Sequence, residues 1–400
     1  MTVESFDDLK NSVIGRGLCT ACGACAGVCP QHVVDMRLED PESSDPEPIL
    51  TGECKPCGIC YKVCPGRDIP VHALEEFAFG RHRENSDIVG VVRGCHRVWA
   101  AHEDIRRGCS SGGAVTSLLA YGLASGFLDG VLLAARDERY PWRCKGKIVT
   151  KPEEVLEGVR SVMEIVPTLS VLTEAVEERG LTSLGIVGLP CHIHALRKLQ
   201  KGKIPPKLAR AIKLSVGLFC NSAKHFMGTQ HLIEENAGIR VSDIVAMDYR
   251  GGEWPGSMLV MTKSGKIHFV ATKGQYGSFL ASGNYKRDRC TVCIDFAAEL
   301  ADISCGDVFQ KKGDDRRISA TVVRSQIGEE VFAGALKAGW IGAGPHDVSD
   351  IPGSGYGWEA SKHANAAKLL QRRLWGWPTP EFGLEINLKP LVRKVHSSTL

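Results

Sequence analysis

Hydrophobic positions along the middle of the chain switch between two periods. In CSSGGAVTSLLAYGLASGFLDGVLLAA, Val115, Leu118, Leu119 and Leu123 recur at helical spacing, and GVLLAA then reads as a buried strand. Residues 153–180, EEVLEGVRSVMEIVPTLSVLTEAVEERG, carry helical periodicity, and TSLGIVG follows as a strand. PCHIHALRKLQ opens another helix, AIKLSVGLF is a strand, and AKHFMGTQHLIEEN a helix. MLVMTKSGKIHFVAT predicts a hairpin turning at Ser264-Gly265. Nearer the front, QHVVDMRLEDPESSDPEPILTGE suits a short strand and an acidic loop. The alternation predicts an α/β fold (α+β overall) with a mixed sheet and an added antiparallel portion.

Composition narrows the class. The chain is 43% hydrophobic and 24% charged with a net charge of +3, which is globular and too mildly basic to argue for nucleic acid. The most apolar stretch, AVTSLLAYGLASGFLDGVLLAA, is broken by Ser, Gly and Asp, so no transmembrane segment is predicted. A cytosolic protein is expected, at most docked on a membrane complex. No Walker A sequence and no G-x-G-x-x-G after a strand occurs.

Cysteine spacing carries the chemistry. Cys19, Cys22, Cys25 and Cys29 fall at C-x2-C-x2-C-x3-C with Pro30 behind, and Cys54, Cys57, Cys60 and Cys64 repeat the pattern before Pro65. No apolar leader precedes the first run, so a disulfide framework is not expected. Structural zinc uses two CxxC pairs or Cys/His mixtures rather than a doubled four. The spacing is that of two [4Fe-4S] clusters in which the fourth Cys of each run ligates the other cluster. One cluster then takes Cys19, Cys22, Cys25 and Cys64, and the other Cys54, Cys57, Cys60 and Cys29. Such clusters conduct electrons and perform no bond chemistry of their own, so the rest of the chain must supply the other terminus.

Open α/β sheets place ligands beyond the carboxyl ends of their strands. Cys191 and Cys220 lie there, and a third CxxC brings Cys290 and Cys293. These four are candidate ligands of a third cluster, with Cys305 and Cys109 as rivals and buried structural thiols as the plain alternative. Cys95 and Cys144 read as ordinary thiols. Ser110, Ser111, Gly112 and Gly113 open the helix beginning AVTSLL, a turn that suits a flavin pyrophosphate, although many Ser-Gly turns cap helices with no ligand. His192, His194, His225 and Lys224, near strand ends, are candidates to tune a cofactor or pass a proton, with a structural role the plainer reading.

The order CSSGGAVTSLL, GLPCHIHALRKL, GLFC, CTVCIDFAAELADISCGD resembles the coenzyme F420 hydrogenase/dehydrogenase beta-subunit family over roughly residues 90–340. That family includes beta subunits of F420-reducing hydrogenase and formate dehydrogenase, the F420H2 dehydrogenase input subunit, and 7-hydroxymethyl chlorophyll a reductase. The resemblance implies an FAD that exchanges hydride with coenzyme F420 and single electrons with clusters. Carried onto this chain, FAD contacts fall on Ser111, Gly112, Gly113 and Thr116, and the third cluster on Cys191, Cys220, Cys290 and Cys293. Lys286, Arg287 and Arg289 become candidates for the anionic tail of F420, against the alternative of a solvated basic loop. The expected organisation is a ferredoxin-like domain at 1–75, a flavin and iron–sulfur domain at 76–345, and a C-terminal helix with a docking tail at 346–400. The expected partners are other subunits of a hydrogenase, formate dehydrogenase or F420H2 dehydrogenase complex, or ferredoxin. A flavin-less electron adaptor and a reductase of a non-F420 organic substrate remain as other classes.

Overall fold

A computed structural model of the protein describes residues 4–84, 86–158, 161–282, 284–308, 317–353 and 358–384. The front pairs β1 (Val34–Arg37) antiparallel with β2 (Glu47–Leu50), Val34 opposite Leu50. The acidic stretch therefore holds a second strand. Glu47 and Pro48 hide it from a pattern search, and pairing with β1 supplies what local propensity lacks.

The main sheet has eight strands. In chain order these are β3 (Gly94–Ala100), β4 (Gly130–Arg136), β5 (Cys144–Val149), β6 (Leu184–Gly188) and β7 (Ile212–Leu218), then β11 (Ile303–Asp307), β12 (Ser319–Val323) and β13 (Ile341–Pro345). A separate antiparallel sheet holds β8 (Ile244–Gly251), β9 (Ser257–Thr262) and β10 (Ile267–Thr272), with the expected hairpin between β9 and β10. In space the main sheet runs β13-β3-β12-β11-β7-β6-β4-β5. Its centre, β11-β7-β6-β4, is parallel, and antiparallel strands close both flanks. The central strands are buried along nearly their whole length, as a parallel sheet covered on both faces requires. Helices Ala114–Ala124 and Pro190–Gly202 form where the pattern places them.

Residues 153–180 carry their helical period in short turns rather than in one continuous helix. They form a 3-10 turn at Pro152–Gly158, another at Thr168–Val171, and a wider helical turn at Glu174–Glu178. The cause is tertiary. Leu169 N–H donates to the Cys22 carbonyl (3.1 Å), and the Thr173 hydroxyl donates to the Gly27 carbonyl (2.6 Å). This segment is the seat of the front module, and docking there keeps it from running as one helix.

The front module shares one core with the body. Cys22, Ala24, Val28, Val63 and Ile69 pack in the same cluster as Leu132, Ile186, Ile193 and Leu196. A boundary at residue 75 falls inside helix Val71–Phe79. The C-terminal segment also returns to the front: Ile69 N–H donates to the Glu381 carbonyl (2.5 Å), Val71 N–H to that of Phe382 (3.2 Å), and Phe382 is buried. The expected docking tail therefore begins by docking on its own chain, and residues 385–400 lie outside the described residues. Among the described residues no helix is long and apolar enough to cross a membrane.

Two glycines set how closely the module approaches. A Cβ on Gly27 would stand 1.8 Å from the Leu169 carbonyl oxygen, and one on Gly23 would stand 2.7 Å from Pro167 O and Ser170 N. Both obstacles are backbone and cannot swing aside. Gly27→Ala should destabilise the folded protein by about 1–3 kcal/mol or more, the usual range for forced overpacking. Thermal unfolding of the iron-loaded chain measures this, and an unchanged Tm would show that the seat at Leu169 is not tight.

Candidate functional site

The two front cysteine runs cross, as their spacing predicts. Cys25 has Cys19, Cys22 and Cys64 as charged neighbours, and Cys60 has Cys57, Cys54 and Cys29. Gly23 and Gly58, both in the left-handed region (φ 83° and 68°), turn the chain sharply inside each run. Cys19, Cys22, Cys25 and Cys64 line a space of about 340 Å³, open volume at its mouth included, walled by Leu9, Val13, Ile14, Met36, Pro48 and Pro65.

The donor chemistry fits iron–sulfur clusters. Burial first, and then neighbouring cysteines, push Cys19 and Cys60 up to about 12 and Cys22 up to about 11. Four thiolates so placed are tenable only around a metal cation. Among the described residues no three His, Cys, Asp or Glu side chains close around a single ion. A four-iron cube spreads its ligands over four corners, which is the arrangement that eight crossed cysteines provide.

The third set also comes together. Cys191 follows β6 by three residues and Cys220 follows β7 by two, so adjacent parallel strands deliver both to one edge. Burial, then Cys22, Cys220, Cys290 and Cys293, raise the Cys191 thiol far above its usual range. Cys290 and Cys293 are likewise the charged neighbours of Cys220. The Asn365 amide donates to the Cys290 and Cys293 carbonyls (3.2 and 2.8 Å) and locks the CxxC turn. The rival thiols lie elsewhere: Cys305 faces Thr321 (3.5 Å) and Cys109 faces Thr116 (3.6 Å). Cys95 and Cys144 also stay outside the set, Cys144 beside Arg136.

The sets are linked in space. The first front site adjoins the third set, since Cys19, Cys191 and Cys290 pack around Ala21, Ile165 and Ala223, and it adjoins the second front site, since Cys19, Cys25 and Cys64 pack in one cluster with Cys29, Cys54 and Cys60. Lys198, on the helix that carries Cys191, fastens the junction. Its ammonium donates to the Cys64 carbonyl (2.7 Å) and the Asp68 carbonyl (2.8 Å), and pairs with the Asp68 carboxylate (2.5 Å). Sequence reasoning passes over Lys198 and Asn365, because a helix-face lysine and an asparagine carry no motif.

Several candidates have other tasks. His192 is buried, and burial lowers it to about 4. Leu189 N–H donates to its Nδ1 (3.1 Å), so the proton sits on Nε2 and is donated to the Val166 carbonyl (2.8 Å). Both nitrogens meet backbone, and Nδ1 also lies 3.8 Å from Cys191 Sγ, which fits a role in holding the Cys191 turn. His194 pairs with Asp295 (2.7 Å), and His225 with Asp45 (2.6 Å). Arg287 also pairs with Asp45 and reaches the Cys19 carbonyl (3.4 Å), so it ties the modules together instead of facing solvent. Burial raises the Asp45 carboxyl, but the His225 hydrogen bond and the Arg287 charge outweigh it and hold it below the ordinary carboxylate range. Arg289 is buried, with one guanidinium nitrogen 3.5 Å from the Pro65 carbonyl. Lys224 and Lys286 pair backbone to backbone near Cys220 and Cys290. Burial, then the Lys286 charge, hold Lys224 below the usual lysine range.

The Ser-Ser-Gly-Gly turn is partly explained by the fold itself. A Cβ on Gly112 would stand 2.4 Å from Ser319 N and Val98 O. Gly113 has φ 82°, and its Cβ would stand 2.9 Å from that of Ala100. Ser110 accepts from Ser161 N–H (3.0 Å), and Ser111 donates to the Ile318 carbonyl (3.1 Å). What fits an anion is the helix start: Gly112, Gly113, Ala114 and Thr116 are buried, and no side chain caps the first turn at Gly113.

Comparison with known proteins agrees with this layout. Residues 18–69 match the 4Fe-4S dicluster domain. Residues 95–173 and 181–348 match the N-terminal and C-terminal parts of the coenzyme F420 hydrogenase/dehydrogenase beta subunit. The beta subunit of the coenzyme F420 hydrogenase of Methanococcus voltae is 32% identical over 70% of this chain and 95% of its own length. One subunit of the F420H2 dehydrogenase of Methanosarcina mazei is 26% identical over 80% of this chain and 83% of its own. The coenzyme F420-dependent sulfite reductase of Methanocaldococcus jannaschii is 29% identical over 80% of this chain and 46% of its own. A chain of the F420-reducing [NiFe] hydrogenase complex from Methanosarcina barkeri shares the fold, with a TM-score of 0.60 over 75% of this chain and 99% of that one, at 23% identity. The chain belongs to the coenzyme F420 hydrogenase/dehydrogenase beta-subunit family, with a 4Fe-4S dicluster domain at its front.

Proposed function

We propose that this chain is an F420-dependent oxidoreductase subunit that exchanges hydride between coenzyme F420 and FAD and passes single electrons through [4Fe-4S] clusters to or from a partner subunit. The observation that carries the reading is the continuous line of cysteine sets, third to first front to second front, linked by the packing of Cys19 with Cys191 and Cys290 and of Cys25 and Cys64 with Cys29 and Cys60. A line of clusters that starts at the strand ends of an α/β sheet and runs out through a dicluster module is built to move electrons between a site and a partner. The names of the relatives support the same assignment, since they are hydrogenase, dehydrogenase and reductase proteins that use F420. Two of these matches extend over more of the chain than that to the hydrogenase subunit, which favours a dehydrogenase-type input subunit with its own dicluster wire.

A bound flavin supplies the exchange between two-electron hydride transfer and one-electron transfer. The uncapped first turn of helix Ala114–Ala124, with Ser110, Ser111 and Thr116 around it, would hold its phosphates. Of the tail candidates Lys286 remains suited to the acidic tail of F420, and Lys224, held below its usual range beside it, is the candidate proton donor at that edge. Arg287 leaves this role, because Asp45 and Cys19 already engage it.

Anaerobically purified protein should carry about twelve Fe, three clusters of four. A count of about eight would remove the third cluster and leave the front module standing. The extracted cofactor should show a flavin spectrum, and F420H2 should bleach it in the intact chain. A flavin that F420H2 does not reduce would move the assignment to a non-F420 reductase, and no flavin at all would leave an electron adaptor.

Single ligand changes separate the sites. Cys29→Ala and Cys64→Ala should each perturb the cluster of the other run, leaving different EPR signals intact. Cys293→Ala should keep the flavin reducible by F420H2 while slowing reduction of the front clusters by about tenfold or more, at least the cost of disturbing a metal site's support. Equal reduction rates in the Cys293→Ala protein and the parent would take Cys293 out of the path.

A further inference from the structure

Between the first front site and the third cysteine set lies a cation with no anionic partner among the described residues. Arg289 is 3% exposed, and one guanidinium nitrogen stands 3.5 Å from the carbonyl of Pro65, the residue after Cys64. It is itself the residue before Cys290. Its guanidinium carbon lies 5.4 Å from the centre of the Phe382 ring, and among the described residues its Nε–H has no acceptor. Among the described residues no carboxylate pairs with it. The neighbouring acids are taken: Asp288 pairs with Arg372, Asp295 with His194, Asp68 with Lys198 and Asp45 with Arg287. The contrast with Arg287 and Lys198, each matched to a carboxylate, singles out Arg289.

A guanidinium buried without a counter-charge is costly, and native structures keep one only where an anion answers it. The thiolate-bound clusters at Cys64 and Cys290 are the anions within reach, since Arg289 lies against the carbonyl of Pro65, next after Cys64, and directly precedes Cys290. Cluster sulfur is also an acceptor class that suits an unmatched N–H donor.

We propose that Arg289 is the counter-ion shared by the first front cluster and the third cluster, its fixed positive charge and N–H donors raising the reduction potentials of both by more than that of the cluster at Cys29, Cys54, Cys57 and Cys60. An added electron on either cluster is stabilised by the nearby cation, and the far cluster, separated from Arg289 by the first, gains less. Arg289 is thus a positioning residue for electrons and touches no substrate. The shared role rests on the reading that Cys191, Cys220, Cys290 and Cys293 hold a cluster.

The test is an EPR-monitored redox titration of the full-length, iron-loaded protein, with iron counted first. Arg289→Gln should lower the midpoints of the first front and third clusters by at least about 59 mV, a tenfold loss in each one-electron equilibrium, and leave the second front cluster in place. Arg289→Lys, which keeps the charge, should recover most of the shift. Midpoints that stay unchanged in a fully loaded Arg289→Gln protein would overturn the assignment. Should Arg289→Gln lose iron, Arg289→Lys decides: retained clusters near the parent midpoints support the counter-ion role, and loss of iron there too makes Arg289 a packing residue. A parent protein with about eight Fe would remove the third cluster without removing the role at Cys64, which the first front midpoint still reads.

Discussion

Four thiolates cannot share one buried spot unless a cation sits among them, and the architecture of this chain follows from that constraint. Each front run brings three cysteines to its own site and one to the other, so neither run completes a four-cysteine site alone. The crossing of Cys29 and Cys64 knits two short, helix-poor segments into one unit whose own hydrophobic residues are few: Phe6, Leu9, Val13, Leu18 and Val34, with the cysteines themselves. Metal binding is then folding free energy for this part of the chain.

The same constraint recurs where the front meets the body. Cys22 belongs to a front site yet packs in the core of the main sheet, and Cys19 of the same site packs with Cys191. That closeness has structural costs visible in sequence only as ordinary residues. Gly27 and Gly23 must lack side chains, the 153–180 segment must break into short turns to form the seat, and Lys198 must be desolvated to reach Cys64 and Asp68. Each feature is unfavourable or neutral alone and makes sense only if the two cysteine sets have to be neighbours.

The sequence is most legible where chemistry imposes a strict ruler. The dicluster domain is readable from spacing alone, because few functions other than cluster binding repeat C-x2-C-x2-C-x3-C. The strand ends carrying Cys191 and Cys220 are readable because parallel central strands are apolar throughout and stop abruptly. Side-chain tasks set by tertiary partners are not readable. Arg287 and Arg289 sit two apart in one basic loop and look alike as letters. Asp45, some 240 positions upstream, turns Arg287 into an inter-module tie, whereas Arg289 is buried by Phe382 from the far end of the chain. The glycines at 112 and 113 look like a ligand cradle, but Val98, Ser319 and Ala100 already demand them. His192 looks like chemistry in the sequence and is held by backbone at both nitrogens.

A module on a flexible tether would pass electrons only during encounters, at a rate set by linker length and effective concentration. Here the junction is welded by a shared core, by Lys198, and by residues 381–382 returning to lie against Ile69 and Val71. Encounter is thereby removed as a variable, and what remains to govern the direction of electron flow is the relative affinity of each site for an electron. In a rigid interior that affinity is set by fixed charge. Lys198 and Arg287 spend their charge on carboxylates that hold the modules together. Among the described residues Arg289 has no such carboxylate, and it lies between Pro65, next after Cys64, and Cys290. On the proposal above, the junction therefore divides its cations between holding the modules together and acting on the electrons that pass between them.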